Sequence, residues 1–338
     1  MILIFTIEHD ISTSDVIKWL DYFGEEVIRM NADDNLHKFQ EINSEGIFFK
    51  NTLTNKVFNL LDAKACWWRR RGISKSCFTN LKNEDVLISG EFDLTSLING
   101  KNNLLDKESD DLIDFIYYQV YNNCKINIGK PIFNLNKLIV NEVAKKCELK
   151  IPSFKIVNNN NQIVSFKENK SGLISKAISN GIYNTIDNHR FYSYTELIED
   201  ELVNIDDNSS FFPSLIMEKI EKKSEIRTFY LDGHFYSMVI FSQASNQTKV
   251  DFRKYNTQKP NKTEPYKIPK SIENKLEKLF NELKLNCGSI DLIVDTNGDY
   301  IFLEINPVGQ YGMVSEPCNY NLDKKIAKYL INGSFKEN

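Results

Sequence analysis

The sequence has no pair of cysteines at metal-binding or disulfide-framework spacing. Its six cysteines, Cys66, Cys77, Cys124, Cys147, Cys287 and Cys318, are scattered, and no C-x-x-C occurs. That argues against zinc and iron–sulfur sites and makes reduced core thiols the expectation. Histidine is scarce: His9, His37, His189 and His234 lie far apart in the sequence and suggest no ligand cluster. Long basic runs are missing and the formal net charge is −4, so no nucleic-acid partner is expected. No stretch approaches the roughly 18 apolar residues of a membrane span. Met1–Ile7 is apolar but has neither a basic flank nor a small-residue cleavage site, so it reads as a buried first strand. No membrane association is expected, and the thiols point to the cytoplasm. Internal repeats and coiled-coil heptads are absent as well.

What is present, over 338 residues, is an alternation of short β-rich runs and amphipathic stretches in three regions, an α+β chain with an α/β opening. Residues 1–126 begin with strand Ile2–Ile7, a helix capped around Ser12, Thr13 and Ser14, and strand Glu26–Asn31. A hairpin over Gly46–Lys50 and Lys56–Leu60, a strand at Ala65–Arg69, and helical stretches at Glu84–Leu105 and Lys107–Asn122 follow. Residues 127–213 hold a helix at Leu135–Cys147, then strands Ser153–Val157, Gly172–Ile178 and Arg190–Tyr194, with a turn at Asn158–Asn161. Residues 214–338 hold strands Ser214–Ile220, Ile226–Leu231 and His234–Phe241, the last two joined by Asp232-Gly233. A polar loop Ser242–Lys262, a helix at Ser271–Leu283, strands Ser289–Asp295 and Tyr300–Ile305, and a helix at Asp323–Ile331 complete the chain.

The strands on either side of Asn297-Gly298 carry the most pointed chemistry. Asn-Gly is a strong two-residue hairpin signal. In a hairpin centred there Asp291 lies roughly opposite Glu304, and Glu304 and Asn306 share one face. Two carboxylates and an amide oxygen suit Mg²⁺, which takes a few hard protein oxygens and shares the rest with phosphates. Met217-Glu218-Lys219-Ile220 reads either as a hinge whose backbone and carboxylate meet a purine, or as a strand with two solvated charges. Glu225 and Arg227 share a strand face: Arg227 suits a phosphate clamp, and the plainer reading is a surface ion pair between the two. Arg253, in Asp251-Phe252-Arg253-Lys254, offers a second arginine on a charged loop. Lys176 lies inside an apolar strand and Lys137 starts a helix; each either reaches solvent or neutralises an anion. Trp67-Trp68-Arg69-Arg70-Arg71 at a strand end either binds an acidic peptide or supports the cleft, or else packs a domain interface.

The order Lys137, Lys176, Met217-Glu218-Lys219, Arg227, Asp291, Glu304-Ile305-Asn306 resembles that of the ATP-grasp carboxylate–amine ligases across residues 130–320. Trp68-Arg69-Arg70, Glu225-Ile226-Arg227-Thr228-Phe229-Tyr230, Asp251-Phe252-Arg253 and Glu304-Ile305-Asn306-Pro307-Val308-Gly309-Gln310 are similar to strings in maturases of ribosomal peptides, the microviridin-type and grasp-with-spasm groups. The resemblance implies an ATP-grasp fold with a nucleotide cleft between two α+β subdomains. Lys137 and Lys176 would meet ATP phosphates, and Met217–Ile220 with Glu218 would hold adenine, with Glu225 beside the nucleotide. Arg227, helped by Arg253, would stabilise the transferred phosphoryl group, and Asp291, Glu304 and Asn306 would hold Mg²⁺. One departure from the broader pattern concerns the flap: no glycine-rich loop stands in residues 176–195, where Ser179-Asn180-Gly181 comes nearest.

The implied activity is ATP-dependent activation of Asp or Glu side chains in a precursor peptide, followed by ester or amide ring closure with Ser, Thr or Lys of the same peptide. A leader segment would dock as an added strand or along a helix, and a homodimer is implied. No Ser-His-Asp or Cys-His set is evident, and none is required. Two other readings stand beside it: an amino-acid or small-peptide ligase of the glutathione-synthetase or glutamyl-ligase kind, and a catalytically silent nucleotide-sensing module, which the Asp291, Glu304 and Asn306 set disfavours.

Overall fold

The computed structural model describes residues 1–78, 94–179, 181, 183–186, 189–192, 195–199, 210–244 and 260–335. The chain forms two compact units, Met1–Phe133 with Asn321–Asn338, and Asn134–Tyr320.

The first unit opens with β1 (Ile2–Thr6), α1 (Ile11–Tyr22) and β2 (Val27–Asn31), followed by an antiparallel trio, β3 (His37–Asn43), β4 (Gly46–Asn51) and β5 (Val57–Asn59). Then come β6 (Ala65–Trp68), α2 (Leu94–Asn123) and β7 (Ile126–Ile128). Strands β2-β1-β6-β7 make one parallel sheet. A central parallel strand is covered on both faces, and β1 meets that demand: Ile2, Leu3, Ile4 and Phe5 are wholly buried. On one face Phe5 stacks on Trp68 at 4.7 Å between ring centroids, above Ile113, Ile116, Tyr117 and Val120 of α2. The cap of α1 is Asp10, whose carboxylate accepts from Thr13 N, instead of the expected Ser12–Ser14. Those serines and threonine lie one position or more inside the first turn.

The second unit begins with α3 (Lys137–Lys146), capped by Asn136 Oδ1 accepting from the N–H groups of Leu138 and Ile139. Next are β8 (Phe154–Asn159), α4 (Asn160–Lys167), β9 (Leu173–Lys176), β10 (Tyr183–Ile186), β11 (His189–Tyr192), β12 (Glu196–Leu197) and β13 (Ser210–Glu218). The remaining elements are β14 (Lys222–Leu231), β15 (His234–Phe241), β16 (Lys262–Tyr266), α5 (Lys270–Glu282), β17 (Cys287–Asp295), β18 (Tyr300–Asn306) and α6 (Gly312–Ser315). One sheet runs β12-β9-β13-β8, and a larger antiparallel one runs β16-β15-β14-β17-β18. The change of sheet falls between β13 and β14, at residues 219–221. The chain then returns to the first unit as α7 (Leu322–Asn332).

Several local differences from the sequence reading have clear causes. Asn158–Asn161 is not a turn: Asn159 caps α4 by accepting from Gln162 N, and asparagine serves caps and turns equally well. Strand β16 holds Pro265 and lies at the sheet edge, the place where a strand tolerates proline. The Asp232-Gly233 hairpin has positive φ at both residues, 45° and 84°, as a primed turn requires. The Asn297-Gly298 connection is longer than two residues. It spans Thr296–Asp299, folded by Asp295 Oδ1 accepting from Asn297 N and Asp299 N, with Gly298 at φ 88°.

Helices α3 and α5 cover one face of the large sheet. Val140, Ala144, Leu276, Leu279 and Phe280 pack on Ile226, Tyr230, Ile290, Leu292 and Phe302. Side chains alternate along a strand, so Glu225 and Arg227 point to the opposite face from Ile226. No helix of the described residues is long and apolar enough to cross a membrane. Phe302 is fully buried in this core; Phe302→Ala is expected to cost about 3–5 kcal/mol, read as a lower urea midpoint with an unchanged m-value.

Candidate active site

The site starts from a register. Arg227 on β14 is the cross-strand partner of Asp291 on β17, and Asp291 is the partner of Glu304 on β18. Three charged side chains therefore stand in one row across the sheet. An unbroken hairpin continuing from the Val294–Tyr300 pair would put Leu303 opposite Asp291. A bulge between Asp291 and Leu292 shifts the pairing by one residue and brings Glu304 there instead.

Arg227 Nη1 donates to both Asp291 oxygens, at 2.8 and 2.7 Å. Lys176 Nζ, from β9 in the other sheet, donates to Glu304 Oε2 at 2.6 Å. Lys137 Nζ lies 3.9 Å from the same oxygen and donates to Ser179 O at 2.9 Å. Glu225 does not pair with Arg227: it accepts from Lys222 Nζ at 2.8 Å and from Ser242 Oγ at 2.6 Å. The two residues share a face but are buried, at 6% and 7% exposure, which excludes the surface ion pair as their role. Four bases (Lys137, Lys176, Lys222, Arg227) thus meet three acids (Glu225, Asp291, Glu304). The balance favours an anion.

Burial pushes the Asp291 carboxyl up, Arg227 pulls it back, and the Glu304 charge adds to the rise. Glu225 behaves alike: burial raises it, while Lys222 and Ser242 oppose. Arg227 Nε is buried and has no hydrogen-bond partner among the described residues. The guanidinium thus retains an unused donor, a cost that a native site rarely carries without a ligand to meet it.

Beside these charges lies a small cavity, of about 80 Å³, lined by Pro152, Ile174, Lys176, Thr195, Met217, Glu218, Ile220, Lys222, Glu225, Asp291, Ile293, Leu303 and Glu304. It combines an apolar slot with a charged end. The bulge puts Leu303 and Glu304 both on the cavity wall. At the slot's edge Glu218 accepts from Ser153 Oγ at 2.6 Å. The backbone N–H and C=O of Ile220 make no hydrogen bond among the described residues, so both remain for a ligand.

Of the residues singled out from the sequence, Lys176, Met217, Glu218, Ile220, Glu225, Asp291 and Glu304 line this cavity. Arg227 joins them through Asp291, and Lys137 approaches Glu304. Lys219 pairs with Glu221 at 2.5 Å and is not among the lining residues. Asn306 Oδ1 accepts from Val308 N at 3.0 Å, two residues along from Glu304. Arg253 and Asn180 lie outside the described residues. Sequence reasoning missed Lys222, which stands in the charged run Glu221-Lys222-Lys223-Ser224-Glu225 and has no local mark separating it from a solvated turn. It also missed the apolar walls Ile174, Ile293 and Leu303; alternation along their strands was the only signal.

Among the described residues no three His, Cys, Asp or Glu side chains converge as a metal cage. The available donors are two carboxylates and one amide oxygen. That set fits a hard divalent cation sharing its remaining positions with phosphates and water, and does not fit zinc.

The model of the RimK-like ATP-grasp domain family matches residues 135–330, more than half of the chain. The chain belongs to this family. Among solved structures it is similar to macrocyclase MdnC of Microcystis aeruginosa MRC, bound with precursor peptide MdnA. Identity there is 24%, coverage 99% of this chain and 100% of the other, and TM-score 0.74. It is also similar to a Chryseobacterium gregarium RiPP-associated ATP-grasp ligase in complex with ADP and a leader and core peptide, at 24% identity, 98% and 97% coverage, and TM-score 0.76. The ATP-grasp ligase PsnB, complexed with minimal precursor, Mg and ADP, matches at 14% identity, 99% and 97% coverage, and TM-score 0.71. No curated protein matches significantly. The ATP-grasp fold expected from the sequence is the fold found.

Glu225 provides a test of the electrostatics. Its folded pKa lies above its unfolded value, so the folded chain binds the proton more tightly between the two. Its contribution is most favourable at or below the ordinary carboxylate range and is lost as pH rises through the raised value. Glu225→Gln is expected to flatten that part of the stability profile, measured by urea titrations from the carboxylate range to neutrality.

Proposed function

We propose that the protein is an ATP-dependent ligase that closes ester or amide rings within a ribosomally made precursor peptide. The observation that carries this reading is the pairing of an apolar slot with the Arg227–Asp291 and Lys176–Glu304 ladder at its charged end. The neighbours captured with precursor peptide, ADP or Mg support it.

ATP is the co-substrate in this reading. Its adenine would lie in the slot between Ile174, Met217, Ile293 and Leu303, with the Ile220 backbone and Glu218 offering acceptors and a donor to its edge, and Lys219 closing the hinge from outside. Lys137 and Lys176 would hold the phosphates. Arg227, with its unused Nε, would face the transferred phosphoryl group, and Arg253 is the proposed second arginine. Glu225, held by Lys222 and Ser242, would fix the position of Lys222 beside the nucleotide. Asp291, Glu304 and Asn306 would hold Mg²⁺, whose charge, when bound, neutralises that developing on the phosphates.

The chemistry needs little more from the protein than position. An Asp or Glu carboxylate of the peptide attacks the terminal phosphorus of ATP, giving an acyl phosphate and ADP. A Ser or Thr hydroxyl or Lys amine of the same peptide then attacks the acyl carbon and releases phosphate. The peptide loses one water per ring. Holding two groups of one chain together is worth up to roughly 7–11 kcal/mol in well-oriented cases, so no protein nucleophile is required.

Incubating the chain with Mg²⁺-ATP and any small peptide rich in Thr, Ser, Lys, Asp and Glu that is encoded beside its gene tests the reading by intact mass. Loss of one water per bond is expected, and it should vanish with Asp291→Asn. A mass gain on an added acceptor would point instead to an intermolecular amino-acid or small-peptide ligase. A second measurement concerns the ladder. Glu304→Gln leaves Lys176 without its partner and removes a proposed metal oxygen. ADP affinity measured by calorimetry in Mg²⁺ is expected to fall by roughly tenfold or more, with a smaller change in EDTA. Equal losses in both buffers would remove Glu304 from the metal set.

A further inference from the structure

None of the residues of the run Trp67-Trp68-Arg69-Arg70-Arg71 lines the cavity described above. Its two tryptophans are core residues, each 2% exposed. The arginines that follow lie at a special point of the first unit's sheet. Strand β1 leads through α1 to β2 on one side, and β6 leads through α2 to β7 on the other. The winding reverses between β1 and β6. In open α/β sheets the crevice outside the carboxyl ends of the strands at such a reversal is where ligands bind.

The backbone there is tightly specified. The N–H groups of Arg69 and Arg70 both donate to Phe5 O, at 3.0 and 2.8 Å, which draws the end of β6 across the end of β1. Gly72, at φ 71°, lets the chain turn away: a Cβ there would stand 2.5 Å from Phe5 Cβ. On the β1 side, Arg29 donates to Ile7 O and Glu8 O, both at 2.7 Å, and to Ser14 Oγ at 2.9 Å. That brace fixes the loop leading to Asp10.

Asp10 is buried and faces two guanidinium groups. Its Oδ2 accepts from Arg69 Nε at 2.9 Å, and Arg70 Nε stands 3.8 Å from the same oxygen. Arg69 is enclosed, with 3% of its side chain exposed, whereas Arg70 is 28% exposed. The terminal nitrogens of Arg70 make no hydrogen bond among the described residues. One carboxylate thus serves two cations, and the outer one presents an open planar fork. Burial and the Arg69 charge both work against the Arg70 charge, and Asp10 opposes them only in part. A bound anion would complete the set.

We propose that this crevice is a carboxylate subsite in which Arg70, seated beside Arg69 and Asp10, grips an Asp or Glu side chain of the peptide substrate. The assignment of the ligand as substrate rests on the function proposed above; the site itself does not. A fork donating two parallel N–H bonds matches a carboxylate in plane and spacing. Phosphate offers the same oxygen chemistry, and the test separates the two.

The test is calorimetric titration of the full chain, saturated with ADP and Mg²⁺, with tetraglutamate as the probe at low salt. Tetraglutamine and inorganic phosphate are the comparison ligands. Tetraglutamate is expected to bind, tetraglutamine is not, and Arg70→Ala is expected to weaken tetraglutamate by roughly tenfold, the loss of one charge-assisted contact. Arg70→Lys should recover part of the loss, since a point charge replaces a fork. ADP affinity and thermal unfolding should match wild type in both variants. Arg70→Gln, which keeps most of the side-chain volume, serves if the alanine variant unfolds. Absence of tetraglutamate binding, equal binding by tetraglutamine, or unchanged affinity in the folded Arg70 variants would overturn the subsite. Phosphate binding more tightly than tetraglutamate would overturn its assignment to carboxylates. The titration needs no turnover, so a failure to cyclise peptides would sink the proposed function and leave this result standing.

Discussion

The Arg227–Asp291 pair is the interaction around which the second unit's row of charged side chains is arranged. Asp291 occupies a position where burial disfavours its charge, and Arg227 contacts both its oxygens. Deleting one partner of such a buried pair strands the other, at a cost of about 3–5 kcal/mol, while an apolar pair of similar volume often does as well or better for stability. The pair is therefore poorly explained as a stabilising device. What it does set up is a carboxylate and a guanidinium side by side among buried groups, with Arg227 Nε left without a hydrogen-bond partner among the described residues. Lys176 and Glu304 repeat the arrangement one strand over, and in doing so they link the two sheets of the unit.

That geometry depends on a single irregularity. The hairpin of β17 and β18 carries an extra residue at Leu303, and without it the side chain opposite Asp291 would be a leucine. The bulge does two things at once. It brings Glu304 into the charged row and leaves Leu303 beside it as part of the apolar wall. The boundary between the apolar slot and its charged end is thus set by consecutive residues of one strand.

Much of this was legible in the sequence because strand periodicity is a strict rule. Glu225, Arg227, Glu304 and Asn306 could be assigned to faces before any coordinates, and the pairing of Asp291 with Glu304 was anticipated. A two-residue Asn-Gly turn in plain register gives that same pair, and the protein reaches it by another route. A longer turn and a bulge offset each other's effect, and neither leaves a mark in local composition. Lys222 was hidden for a different reason: five polar residues in a row look solvated, and only the fold of Glu225 and Ser242 around that lysine reveals a buried contact. The helix at α4 was hidden because asparagine stabilises a cap and a turn by the same side-chain hydrogen bond. Arg253, chosen from its loop chemistry, lies outside the described residues.

The tryptophan–arginine run shows how one short string can serve packing and charge without compromise. Strand β6 ends at Trp68. Up to that point side chains are committed to the two faces of a parallel sheet that is buried on both, so each tryptophan must enter a core. One residue later the ladder is over, and the chain is held by the backbone of β1 instead. Arg69 is drawn inward by the Asp10 carboxylate, while Arg70 is left facing out with the same carboxylate already spent. The winding of the sheet reverses between β1 and β6, the strand that Arg70 follows. Sequence alone posed a choice between packing and binding for the whole run. The end of the strand divides it, giving the tryptophans to packing and leaving Arg70 with donors unmet among the described residues, at the carboxyl end of a strand where α/β sheets hold ligands.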